Sequence, residues 1–216
     1  MSIQTIVDNA QFITIDKTKL SAQTISRSGR VLTSEVSTSM PYRFTVGMHD
    51  GLKYSTNRGV LEELDRLDRT EEESINIGTS NTGLSYITAY QGGILSGSLS
   101  LVSVSGANIT VNASGVIGAG TLFKKGDYIQ PAGSTGTYRY PYQVTADVAF
   151  STGTSVVIPV HRPVISQTGV GLTSGTINYG SAVTFTVKMM KKPLYSVVPH
   201  DLIAWDSEFQ LIEIIL

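Results

Sequence analysis

The chain contains no cysteine. That absence removes disulfides, thiolate metal sites and cysteine nucleophiles together, and with them the usual staple of small secreted domains. The fold must stand on its hydrophobic core and on any neighbours it has. Charge is scarce too: Asp, Glu, Lys and Arg make up 15% of the residues, against roughly 25% in ordinary globular proteins. The 16 basic and 17 acidic side chains leave a formal net charge of −1, so no basic stripe of the kind that grips nucleic acid is expected. The longest basic run, "KMMKKP" from Lys188, is short and interrupted by two methionines. No stretch approaches the roughly 18 apolar residues of a membrane span. "MSIQTIVDNAQF" has no basic segment leading into an apolar one, so no signal peptide is expected and a soluble compartment is.

What is present is apolar and strand-like. The 216 residues are 41% apolar, enough for one large all-β domain or two small ones. "QFITID" (Gln11 to Asp16) and "YRFTVGM" (Tyr42 to Met48) alternate apolar and polar residues, the period of a half-buried strand. "RVLTSEV" between them and "ESINIG" after them read as strands as well. From Gly106 to Pro163 the strands shorten and the turns come regularly: "ANITVN", "DYIQPAG", "YPYQVTADV" and "SVVIPVHR" lie between Gly-rich connections. That spacing predicts a small antiparallel barrel or sandwich. The chain closes with "VTFTVKMM", "LYSVVPHDL" and "EFQLIEIIL", and the last, through Ile214 and Ile215 to Leu216, is expected to pair inside a sheet or at a subunit contact. The predicted organisation is a core of residues 1–95 plus 180–216, an inserted small β domain at 97–168, and a connection at 169–179.

One segment breaks the β pattern. In "NRGVLEELDRLDR", Val60, Leu61, Leu64 and Leu67 form one stripe of an α-helix expected over about 58–69. Glu62, Glu63, Asp65, Arg66, Asp68 and Arg69 cover the other face. Ser55, Thr56 and Asn57 are N-cap candidates, and Glu62 and Arg66 stand one turn apart. The charges read as the solvated side of a helix laid across a sheet.

No catalytic, cofactor-binding or metal site is predicted. Glu71, Glu72 and Glu73 are consecutive, so their side chains diverge rather than converge for acid–base work. His49, His161 and His200 show no metal-ligand spacing; the first and last read as turn residues and His161 as an outward strand residue. G-x-S-x-G is absent, and "GVGLTSG" lacks the Lys of a phosphate loop. Asp127 after Gly126 reads as a turn cap. "TYRYPY" places Tyr138, Tyr140 and Tyr142 on one strand face with Arg139 opposite. Core cover, a protein contact and a stacking platform for a sugar or base all remain open for these rings.

The order "MPYRFTV", "GLKYSTNRGVLEELDRLDR", "ESINIG" resembles the core of distal-tail and baseplate-hub proteins of tailed bacteriophages. "KKGDYIQPAG", "YRYPYQVTADV" and "TSVVIPVHRPV" are similar to a small β domain inserted in such proteins. Tyr42, Arg43 and Phe44 match the family strand, Leu61, Leu64 and Leu67 its helix stripe, and Gly126 and Asp127 its turn. The Gly/Ser/Thr-rich stretch from Gly92 to Gly106 departs from the pattern. The resemblance implies a tail-tube-like β-barrel or sandwich flanked by one helix. It implies a non-enzymatic virion part assembled in the host cytoplasm: a ring, hexameric by expectation, contacting tube, hub and fibre proteins while DNA passes unbound through its channel. The runner-up is a tail-fibre or adaptor module that recognises saccharide through Tyr138, Tyr140 and Tyr142. A hydrolase survives only if a metal or carboxylate site assembles in three dimensions.

Overall fold

The computed structural model describes residues 3–17, 21–35, 39–66, 72–78, 84–94, 97–113, 116, 118–133, 140–151, 155–165 and 175–215, with backbone alone at 21–23, 32–35, 63–66 and 133. The first third holds α1 (Ile3–Asp8), β1 (Ala10–Asp16), β2 (Ser21–Ile25), β3 (Val31–Glu35), β4 (Arg43–Met48), β5 (Leu52–Lys53), α2 (Tyr54–Arg66) and β6 (Glu72–Ile75). The middle holds β7 (Ser100–Ser105), β8 (Asn108–Asn112), β9 (Gly120–Phe123), β10 (Tyr128–Gly133), β11 (Tyr142–Gln143), β12 (Val148–Phe150) and β13 (Ser155–Pro159). After it come β14 (Gly175–Tyr179), β15 (Phe185–Lys191), β16 (Tyr195–Val198), β17 (Leu202–Trp205) and β18 (Phe209–Glu213). The described residues are thus mainly β, and among them are two α-helices and several antiparallel sheets, none closed into a barrel.

Alternation in β4 sends Phe44 and Val46 inward, with Tyr42 just before the strand on the same face. β15 and β18 do the same with Phe185, Val187, Phe209 and Leu211. These strands share a sheet ordered β1-β4-β18-β15-β6, so the two ends of the chain meet at its centre. Phe185 stands edge-on to Tyr42 and Phe44, with ring centroids 5.4 and 5.1 Å away. Such contacts add about 0.5–1.5 kcal/mol beyond the buried area. Helix α1, too short for its periodicity to register in the sequence, buries Ile3, Ile6 and Val7 against this sheet. Its first amide, Ile3 N, donates to Glu73 on β6 at 2.5 Å, and the Gln4 side chain pairs in both directions with the Asn76 backbone.

The second sheet runs β11-β10-β14-β7-β8-β13, with the β9–β12 pair packed on the same core. Leu99, Leu101, Ile109, Val111, Ile129, Ile158 and Ile177 are buried in it. β14 occupies residues read from the sequence as connection. In "GTINY" a single residue, Ile177, is fully committed to the core, so the strand shows no alternation to find. Pro131 fits in β10 because, among the described residues, β11 pairs only with Tyr128 and Ile129 and no strand on that side asks for its missing N–H. The outer strands approach each other at one bridge, Val144 with Val160.

Helix α2 begins at Tyr54, four residues before the expected start. Its cap comes from the β16–β17 turn rather than from the local Ser, Thr or Asn. Tyr54 N donates to the Asp201 carbonyl at 2.8 Å, Ser55 N donates to Asp201 Oδ1 at 3.0 Å, and the Ser55 hydroxyl donates to Oδ2. To present these atoms His200 and Asp201 take φ of +71° and +64°, a left-handed backbone that Asp tolerates better than most residues. Of the stripe, Val60 packs on the first core and Leu61 is buried. Leu67 and the Leu64 side chain lie outside the described residues.

Candidate functional site

A dense set of polar contacts sits where the two sheets meet. Alternation along β18 explains its origin: Phe209, Leu211 and Glu213 share the inward face, so the strand carries a carboxylate into the interior. Arg162, just past β13, meets it from the other side. Its Nη1 donates to Glu213 Oε2 at 2.7 Å and its Nη2 to Oε1 at 2.6 Å, a side-on two-pronged pair. Both side chains are essentially inaccessible, 0% and 1% exposed. Nη1 also donates to the carbonyls of Ser39 and Met40, and Nη2 to that of Pro141. Tyr42 N donates to Glu213 Oε2 at 3.0 Å. The guanidinium lies between the Tyr42 and Tyr142 rings, 5.3 and 5.2 Å from their centroids.

One cation thus ties together the approach to β4, the approach to β11, the exit of β13 and the end of β18. Burial on its own would lower the Arg162 pKa, but the Glu213 hydrogen bonds and charge outweigh it and hold the guanidinium protonated. Burial pushes Glu213 upward while Arg162 pulls it back, and the short two-pronged contact keeps the pair ionised. Burial also pushes Tyr128 and Tyr142 up to about 12, so their phenols stay neutral.

His161 is not the outward residue its strand position suggested. Its Nδ1 accepts from Gln143 N at 3.1 Å, which leaves the proton on Nε2 in the neutral ring. Burial first, then the charges of Arg162 and Lys17, lower its pKa to about 3. Asp127 caps its turn: it is buried, and its carboxylate accepts from Lys124 N and Gln91 N at 2.9 and 3.0 Å.

Of the residues singled out from the sequence, Tyr42, Phe44, Leu61, Tyr140 and Tyr142 are buried. Tyr140 and Tyr142, at 5% and 1% exposure, offer no open ring face to a sugar, so the platform drawn for them is not formed; Tyr138 and Arg139 lie outside the described residues. The Tyr142 hydroxyl instead accepts from Ile165 N at 2.9 Å. β18 stops at Glu213, short of the chain end; Ile214 N donates to Thr186 O at 3.0 Å and Ile215 packs on the second core. Glu62 pairs with Arg58 at 4.0 Å, and the Arg66 side chain is outside the described set. Among the described residues no three His, Asp or Glu side chains converge as metal ligands.

Sequence reasoning missed Arg162 and Glu213. One signal was there: Glu213 is the sole charge in "LIEIIL" and stands in phase with Phe209 and Leu211. A carboxylate at an inward position calls for a buried cation, although nothing local says which.

The outer surface is apolar at strand edges. The ribbon β2–β3 pairs with no third strand among the described residues and exposes Ile25 and Val31, at 71% and 57%. Edge strand β16 and the residue before it expose Val197 and Leu194, whereas edge strand β6 presents Glu72 and Glu73. No protein-family model matches this chain, and no curated protein sequence matches it.

Proposed function

We propose that the chain is a structural subunit of a bacteriophage tail: a ring-forming distal-tail or tube-initiating baseplate protein that joins tube to hub and fibres. On this reading it has no catalytic role. Its mechanism is geometric, with strand edges and loops of successive copies meeting around a channel that passes DNA without binding it specifically.

The observation that carries the proposal is the β2–β3 ribbon. A lone two-stranded hairpin is marginal in water, and this one leaves two large apolar side chains exposed. Native proteins blunt such edges with charge, proline or a covering element. A neighbouring subunit would supply the cover. The residues that carry the resemblance are compatible with it: Tyr42 and Phe44 root β4 in the first core, and Asp127 closes the turn before β10. The rigid seam at Arg162 supports it as well, since a ring needs the two sheets of every copy at one fixed angle.

The test is composition and location in purified tailed particles that carry this gene. Mass spectrometry is expected to find the chain in the virion, and cryo-electron microscopy to find it as a ring between tube and baseplate. Its absence from purified particles overturns the proposal.

A further inference from the structure

A small cavity lies under α2, where that helix, α1 and β17 come together. Thr5, Asn9, Asn57, Leu61, Trp205 and Phe209 are among its walls, and its volume is about 20 Å³. Size selects the occupant. About 10–15 Å³ is room for one water, whereas a cavity that takes benzene is near 150 Å³. Wall chemistry selects it too, because purely apolar cavities of this kind stay dry, and this one carries polar groups from three elements. The Trp205 indole Nε1 is buried and finds no acceptor among the described residues. The ring is held in place by Phe209 and Tyr195, with centroids 5.2 and 5.7 Å away, so it does not turn readily toward solvent. Asn9 and Asn57 donate through Nδ2 to the carbonyls of Thr5 and Lys53, both at 2.9 Å, which orients each side-chain oxygen as an acceptor.

We propose that this cavity is a binding site for one structural water, which accepts from Trp205 Nε1–H and donates to the side-chain oxygens of Asn9 and Asn57. A water with one acceptor and two donor contacts has the usual complement for a buried site. It satisfies the one donor the fold leaves stranded there. It also makes the seating of α2 part polar, with Leu61 supplying the dry contact and the water linking the helix to α1 and β17. This inference does not depend on the tail reading.

The chain has a single tryptophan, so the ¹⁵N-labelled full-length protein gives one indole resonance. A cross-peak from that N–H to a long-lived water is expected, together with slow indole exchange, and Asn57→Leu is expected to abolish the cross-peak. A wild-type indole with no water cross-peak overturns the proposal, and so does a cross-peak unchanged in both Asn57→Leu and Asn9→Leu. Should a variant fail to fold, a high-resolution crystal structure of the wild-type chain decides. Solvent density within hydrogen-bond distance of Nε1 supports the site, and a dry or side-chain-filled cavity overturns it.

Discussion

Arg162 with Glu213 and Arg58 with Glu62 join the same two functional groups in opposite surroundings. The first pair lies at the seam of the two sheets, in contact at 2.6 Å and shut off from solvent. The second lies on α2, its closest approach 4.0 Å and its side chains 69% and 62% exposed. The sequence draws attention to α2, where Glu62 stands in a crowd of charges one turn from Arg66, whereas the seam shows one Arg and one Glu far apart. Physical chemistry ranks them the other way. An exposed pair is solvated, screened and held against side-chain entropy, so it contributes at most a few tenths of a kcal/mol. A buried pair fixes geometry, because either partner alone is an uncompensated charge in a poor solvent.

The sharpest way to break the contrast is Glu213→Ala. It strands a buried guanidinium and is expected to destabilise the fold by about 3–5 kcal/mol, read from urea unfolding. Adding Arg162→Met is expected to restore only part of the loss, because the carbonyls of Ser39, Met40 and Pro141 then lose their donor. Full restoration would mean that the seam needs only its packing.

The next effect is a pH dependence set beside the pair. The His161 pKa, about 3 in the fold, lies below the 6.5 of an unperturbed histidine. Between those values the unfolded chain takes up a proton that the folded chain refuses. Stability from this residue is therefore complete above pH 6.5 and falls as the pH drops toward 3, with a slope of up to about 1.4 kcal/mol per pH unit. Glu213, raised in the fold by burial, works with the opposite sign. Comparing wild type with His161→Asn across pH 4.5–7 isolates the histidine, and the variant is expected to show the flatter profile.

Smaller still is the helix cap. Asp201→Ala removes the acceptor for Ser55 N and the Ser55 hydroxyl and is expected to cost about 1 kcal/mol. Smallest is Arg58→Ala, expected to change stability by less than about 0.5 kcal/mol. If Arg58→Ala matched Glu213→Ala in calorimetry, the contrast between seam and surface would collapse.

Legibility follows the range of the interactions. β4 was readable because Tyr42, Phe44 and Val46 alternate within five residues, and α2 because its stripe and its charges oppose each other locally. Its start was misplaced because the cap, Asp201, stands 146 residues away from Ser55. α1 escaped because six residues hold too few turns to display a period. β14 escaped because Gly, Thr and Asn share the strand with one committed apolar residue. The seam escaped for the same reason as the cap. Glu213 could be suspected from its phase in β18, but its partner lies 51 residues upstream, just past a strand of the other sheet. Tyr140 and Tyr142 were legible as important rings but not as buried ones, since exposure depends on what packs over them.

Ring assembly is the central claim, and the most direct measurement is light scattering with negative-stain electron microscopy on the purified full-length chain. Closed rings with an open centre, six copies each, are the expected result. A monomer at every accessible concentration, with no ring formed on added tail-tube or hub protein, would contradict the account.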